Sequence, residues 1–106
     1  MIKRVSAVRR RADLSREEFV RLWVVEHGPV ALELEGLREY TVDIVLDDVD
    51  AGFDGLATVR FDSFDAMQHA FSDTRIAAEL ARTREAFAAK VTPVIVDEHR
   101  LLGSAS

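Results

Sequence analysis

The sequence predicts an α+β domain with the element order β-α-β-β-α-β and one four-stranded antiparallel sheet. Two stretches with apolar residues at helical spacing alternate with four stretches that have the composition of strands. The two middle strands are close together in the sequence, which indicates an antiparallel pair. Pro93 lies in the last strand and cannot donate to a strand ladder, so it places that strand at a sheet edge, where this topology puts its fourth strand.

Length and composition limit the function classes. The 106 residues suffice for one domain, taken here as 1–106, and a hydrophobic content of 48% supplies its core. The net charge of −5 argues against a nucleic-acid partner. The chain has no cysteine, no stretch typical of a secretion signal and no apolar run long enough to span a bilayer. We therefore expect a cytoplasmic protein that does not bind membranes.

The first strand covers 2–10, and the basic run that follows it is interpreted as a strand end and turn. Ser15 and Glu18 form an S-x-x-E capping box, which predicts a helix start. The Gly28-Pro29 pair interrupts this helix, because an interior proline lacks the N–H that the helix needs. We expect helical pieces over about 15–27 and 29–35 that meet at a kink, the second ending at Gly36.

The second half repeats the strand and helix signals. The strand from Tyr40 to Leu46 alternates, and the third strand covers Leu56 to Phe61. Asp62 or Ser63 caps a helical region that breaks at 72–74 and continues to Lys90, and the last strand covers Val91 to about His99. The two helical regions cover one face of the sheet. Apolar residues on both faces of the strands therefore predict a homodimer that packs through its sheet faces.

His27 is the candidate for chemistry. Phe19, Trp23 and His27 are spaced by four residues and so share a helix face that points to the core or to a pocket within it. The unpaired carbonyls at the kink favour a hydrogen-bonded imidazole there. The sequence alone leaves two readings open, a pocket histidine and a histidine that only satisfies these carbonyls.

Four further residues are candidates for the same pocket. Tyr40 lies on the helix-facing side of its strand with Val42, and its hydroxyl, if buried, needs a partner, for which we expect His27. The residues leave open whether Tyr40 takes part in chemistry or is a core tyrosine with a satisfied hydroxyl. Trp23 and Val42 are expected to form the substrate-binding wall. Arg60 is a candidate anion-binding residue if it faces inward, but its alternation with Phe61 leaves either face open.

No metal or cofactor is expected. His69 is interpreted as a surface residue and His99 as an exposed one at the end of the last strand. Three histidines at unrelated spacings do not form a zinc site.

The segments 19–29 and 36–40 carry a family resemblance. The run FVRLWVVEHGP, followed by GLREY, resembles the EthD family, and FDSFDAM at 61–67 resembles that family's third strand running into its second helix. The arrangement of histidine before the kink and tyrosine at the second strand is similar to that of methylmuconolactone methylisomerases. The resemblance covers almost the whole chain and implies a ferredoxin-like fold that pairs as a dimeric α/β barrel.

The resemblance also implies a function. By analogy with members of the family and its fold relatives, we expect a small apolar aromatic, lactone or polyketide-type substrate. The resemblance implies His27 and Tyr40 as catalytic residues in cofactor-free isomerisation, cyclisation or oxidation. The alternative is a non-catalytic small-ligand binder or accessory protein of an oxidative degradation pathway. An enzyme is favoured, as an isomerase or cyclase or as a cofactor-independent oxidoreductase.

Overall fold

The computed structural model describes residues 1–47 and 49–103, and within them four strands form one antiparallel sheet. The strands are β1 (Ile2–Arg10), β2 (Glu39–Ile44), β3 (Gly55–Phe61) and β4 (Ala88–Asp97). Their spatial order is β2-β3-β1-β4. The ferredoxin-like α+β fold is confirmed, and Pro93 lies on an edge strand as predicted.

The helices occupy one face of the sheet. Helix α1 (Arg16–Arg21) runs directly into a π-helical segment (Leu22–His27) and then into α2 (Gly28–Ala31). Helices α3 (Phe64–Phe71) and α4 (Thr74–Glu85) follow β3.

Local hydrogen bonds explain where these helices begin. The Ser15 hydroxyl accepts from the Glu18 backbone N–H at 3.1 Å, as the capping box predicts. Ser63 caps α3, and Asp73 accepts from two backbone N–H groups at the start of α4, which confirms the break at 72–74.

Several predicted boundaries are wrong. Helix α4 ends at Glu85, not at Lys90, and β4 already begins at Ala88. Ala88 pairs with Arg10 of β1, so tertiary strand pairing overrides the helical preference of the alanines.

The second helical piece, expected over about 29–35, ends at Ala31. Strand β2, expected to reach Leu46, ends at Ile44. After α2 the chain turns through Gly36, whose φ of 80° is the left-handed conformation that glycine tolerates.

Strand register fixes which side chains face the helices. In β1 the even-numbered residues face them, and Val8 stands opposite Val91 of β4. The other face of the sheet carries Val5, Val94 and Val96, of which Val94 is 52% exposed. None of the helices in 1–47 and 49–103 is long and apolar enough to cross a lipid bilayer.

Candidate functional site

A cavity of about 60 Å³ lies between the sheet and the helices and opens to solvent. Aromatic and aliphatic side chains form most of its wall. The polar and aromatic groups that concern its chemistry are Arg4, Trp23, His27, Tyr40, Arg84 and Phe87. The structure thus brings three of the five predicted site residues together at one cavity.

His27 ends the π-helical segment. The Gly28 backbone N–H bonds to the Trp23 carbonyl, five residues back, which is the π-helical pattern. This wider turn replaces the simple kink expected at Gly28-Pro29. It leaves His27 only 7% exposed, with its ring 5.3 Å from that of Phe87. π-Helical turns are frequent at functional sites.

The hydrogen bonds of His27 define its tautomer. Its Nδ1 lies 2.6 Å from the Thr83 hydroxyl oxygen. That hydroxyl donates its single hydrogen to the Glu79 carbonyl at 2.8 Å, with the Leu80 carbonyl at 3.3 Å. We assign this hydrogen to the helix carbonyl, so that the Thr83 oxygen accepts from Nδ1–H and the imidazole proton lies on Nδ1. Nε2 is left with a lone pair and has no hydrogen-bond partner in the part of the chain that the structure describes.

His27 is neutral at physiological pH. Burial, with a smaller contribution from the positive charge of Arg84, lowers its pKa to about 4. A neutral imidazole with a free Nε2 lone pair can accept a proton or a hydrogen bond from a molecule in the cavity.

Tyr40 lines the same cavity from β2, but it is not bonded to His27. Burial raises the pKa of the Tyr40 hydroxyl, while a hydrogen bond from Trp23 and the charge of Arg84 act in the opposite direction. The expected His27–Tyr40 pair is not formed: His27 is bonded to Thr83 instead, and Tyr40 lies near Trp23 and Arg84. Thr83 was missed because a helical threonine has no sequence signal for this contact.

Trp23 is the central wall of the site. It is 1% exposed, stacks on Phe87 with ring centroids 5.3 Å apart, and meets Phe19 edge-on at the same distance. Gly55 of β3 lies against it so closely that an added Cβ would come within 2.5 Å of the indole. The indole is thus closely packed on both sides, by Gly55 and by Phe87, and forms a well-ordered part of the cavity wall.

Val42 and Arg60 do not line the cavity. Val42 packs behind it, against the cluster that contains Trp23 and Phe87. Arg60 is on the opposite face of the sheet, where it is 4% exposed and lies 2.8 Å from Glu39 and 3.5 Å from Glu98. The prediction of Arg60 as a pocket residue is corrected, because Phe61 takes the helix-facing position and alternation turns Arg60 away.

Two other arginines, Arg4 and Arg84, line the cavity at which Arg60 was expected. Arg4 of β1 shares its face with Val8, and Arg84 is four residues after the buried Leu80 on α4. Strand alternation and helical spacing could have placed both on the core side. Burial lowers the pKa of each guanidinium, and for Arg4 the charge of Arg84 acts in the same direction.

The other histidines lie outside the site. His69 pairs with Glu35 at 2.9 Å and His99 with Asp97 at 3.4 Å, all of them exposed. Across 1–47 and 49–103, no group of three or more histidine or acidic side chains could hold a metal ion.

Comparison with known proteins identifies the family and the fold. Residues 11–90 match the model of the EthD domain. No curated protein sequence matches the chain. An EthD family protein from Bacillus halodurans has a similar structure, with a TM-score of 0.74, 20% identity, and coverage of 93% of this chain and 100% of that one.

Two further structures share the fold at lower identity. A dimeric ferredoxin-like protein of unknown function from Thermobifida fusca has a TM-score of 0.70 and 14% identity over 90% of this chain and 88% of that one. A cofactor-independent oxygenase from Streptomyces nogalater has a TM-score of 0.68 and 14% identity over 97% of both chains.

Proposed function

Because the chain belongs to the EthD family, we propose that its cavity binds a small, largely apolar organic molecule and that His27 moves a proton to or from it. The observation that carries this proposal is the state of one imidazole. Thr83 holds its Nδ1–H, Nε2 is unprotonated, and the ring faces a solvent-connected cavity. A base within hydrogen-bond reach of a bound ligand is the first requirement of general acid/base catalysis.

The proposed reaction begins with proton transfer to Nε2. The proton comes from an acidic C–H or a ring hydroxyl of the substrate, which becomes an enolate or phenolate. Tyr40, whose raised pKa keeps its hydroxyl protonated, can donate a hydrogen bond to the oxygen on which the charge develops. Such a step is common to isomerisation, cyclisation and the oxidation of an activated aromatic ring, the reaction classes that the family resemblance implies.

The cavity favours a compact substrate. A volume of about 60 Å³ exceeds the roughly 10–15 Å³ that one water requires, but it is small for a multi-ring molecule. The wall is aromatic and aliphatic at Trp23 and Phe87, which suits an aromatic, lactone or polyketide-type unit. A larger substrate would require the flexible Arg4 or the half-buried Phe71 to move aside.

Deuterium incorporation tests the proton-transfer step without knowledge of the natural substrate. A butenolide and an aromatic 1,3-diketone, each with acidic C–H groups, are incubated in D₂O with the protein, and exchange is followed by proton NMR. We expect exchange above background with the wild type and with the His69→Ala variant, whose histidine is exposed and outside the site.

The His27→Ala variant should show only background exchange while it keeps the folded fluorescence of Trp23. A folded His27→Ala variant that exchanges the probes as fast as the wild type would refute the catalytic role.

The alternative is a non-catalytic ligand binder or accessory protein. The pKa of about 4 supports it, since His27 is then a weak base and Nε2 can serve solely as a hydrogen-bond acceptor. In that case the probes bind, as seen by shifts of the ring signals of His27, but no exchange occurs. Substitution of His27 then changes affinity alone.

A homodimer and a cytoplasmic location belong to the same proposal. No helix in the described chain covers the sheet face of Val5, Val94 and Val96, and the similar T. fusca protein is described as dimeric. We expect light scattering to give twice the chain mass at micromolar concentration, and Val94→Asp to shift it toward the monomer because a charge on the apolar face opposes packing. A wild-type monomer at that concentration would contradict this assembly.

A further inference from the structure

The two cavity arginines differ from the other arginines in their partners. Eight of the twelve arginines have a nitrogen within 3.6 Å of a carboxylate oxygen: Arg11, Arg16, Arg21, Arg38, Arg60, Arg75, Arg82 and Arg100. Arg9 and Arg10 donate to backbone carbonyls. Within residues 1–47 and 49–103, Arg4 and Arg84 have neither kind of partner.

This difference is unexpected from composition. The chain carries 19 acidic residues and a net charge of −5, so carboxylates are abundant. Removing a guanidinium from water is unfavourable unless an anion or hydrogen-bond acceptors replace the water. Two guanidiniums at one half-buried cavity also repel each other: burial lowers the pKa of Arg4, and the charge of Arg84 acts in the same direction. Both remain protonated at neutral pH.

The neighbours of the pair supply little compensation. Arg4 lies over the ring of Phe71, with its Cζ 4.8 Å from the ring centroid, which is a cation–π contact. Tyr40 and Glu85 are the titratable groups that act against burial on Arg84. The Tyr40 hydroxyl stays protonated, because burial raises its pKa, and the Glu85 side chain is exposed and makes no ion pair with Arg84 in the described chain. The uncompensated positive charge is therefore directed into the cavity.

We propose that the cavity binds an organic anion, specifically a carboxylate on a small apolar body, with Arg4 and Arg84 as the residues that hold the charged group. A planar carboxylate matches the fork geometry of a guanidinium, and Ser6, which lines the same cavity, adds a hydroxyl donor. The apolar body then lies against Trp23 and Phe87. This inference names the substrate class of the proposed site and rests on the cavity being that site.

Two probes of matched shape but different charge test the inference. Benzoate and benzamide have nearly the same shape, and only benzoate is charged at neutral pH. We expect benzoate to bind the wild type at least tenfold more tightly than benzamide, as measured by NMR titration. The shifts should occur at the ring signals of His27 and at the Trp23 indole.

Arginine variants locate the charge recognition. Arg84→Gln and Arg4→Gln should each weaken benzoate binding about tenfold and leave benzamide binding unchanged. Arg84→Lys should recover part of the loss because it restores the charge. Arg38→Gln is the matched control, since Arg38 is exposed and pairs with Asp62 at 2.7 Å. It should bind benzoate as the wild type does.

Two results would overturn the assignment. One is equal affinity of the wild type for benzoate and benzamide. The other is a benzoate preference that survives both Arg4→Gln and Arg84→Gln in proteins with native Trp23 fluorescence. Deuterium exchange without benzoate preference would refute the anion site and leave the proposed function intact. Benzoate preference without exchange would do the reverse.

Discussion

The burial of neutral His27 predicts that acid destabilises the folded chain. Its pKa is about 4 in the folded chain and 6.5 as a free side chain. Between these values the unfolded chain binds more protons than the folded one, so stability falls as the pH falls. The contribution is fully present above about pH 6.5 and is lost as the pH drops toward 4.

The magnitude follows from the two pKa values. Their full separation, from 6.5 to about 4, corresponds to about 3 kcal/mol, and about 2 kcal/mol of this is already lost at pH 5. For a domain of this length, a loss of that size is a substantial part of the total stability. The effect should therefore be measurable well before general acid denaturation.

Urea unfolding at several pH values between 8 and 5 checks this, with fluorescence of the single tryptophan, Trp23, as the probe. The free energy of unfolding of the wild type should fall relative to that of His27→Gln, which has no imidazole to titrate. The difference should change by about 2 kcal/mol between pH 8 and pH 5. The His69→Gln variant should follow the wild type. If the wild-type and His27→Gln curves run parallel over this range, the neutral buried imidazole is refuted.

Two substitutions test how the site is supported, both by urea unfolding. Gly55→Ala should destabilise the chain by about 1–3 kcal/mol, because the added Cβ would come within 2.5 Å of the Trp23 ring. Gly28→Ala is the control, since its added Cβ would make an ordinary 3.6 Å contact. Equal destabilisation by the two substitutions would argue against the close approach of Gly55 to Trp23. Thr83→Val should cost about 1–3 kcal/mol because it leaves the imidazole Nδ1–H unpaired, whereas Thr83→Ser keeps the hydroxyl. A Thr83→Val variant as stable as Thr83→Ser would show that the hydrogen bond is unimportant.

The parts of the fold that depend on local sequence were predictable. Ser15 and Pro93 act through backbone chemistry within a few residues, and the structure confirms the helix start and the edge strand that they predict. The end of α4 was wrong because it depends on pairing with β1, almost eighty residues earlier in the chain. A sequence pattern reports local preference, and long-range pairing can override it.

The site was predictable only in part, for a related reason. His27 and Tyr40 carry chemistry in their side chains and stand on apolar faces, so the pattern singles them out. Thr83 and Arg84 come from α4 and meet the cavity only after folding. Arg60 shows the opposite error: its residue type suggested anion binding, but the period of the strand did not fix which face it takes, and the structure turns it toward Glu39.

The proposed base and the proposed anion site are coupled through Arg84. The ionisable groups that line the cavity with His27 are Arg4, Tyr40 and Arg84, and it is the Arg84 charge that adds to burial in lowering the His27 pKa. A carboxylate bound to Arg84 would offset that charge, so the pKa of His27 should rise when benzoate saturates the site. By linkage, benzoate should also bind more tightly as the pH falls from 7 to about 5, a range in which the probe itself stays ionised.

Histidine NMR titration with and without benzoate measures the first effect, and Arg84→Gln should abolish the response to benzoate. An unchanged His27 pKa at saturating benzoate would show that the base and the anion site are not coupled. With this coupling, binding of the carboxylate substrate would itself raise the basicity of His27, so that the base is strongest when the substrate is bound. That is the behaviour expected of a catalytic cavity, whereas a binding pocket alone has no need of it.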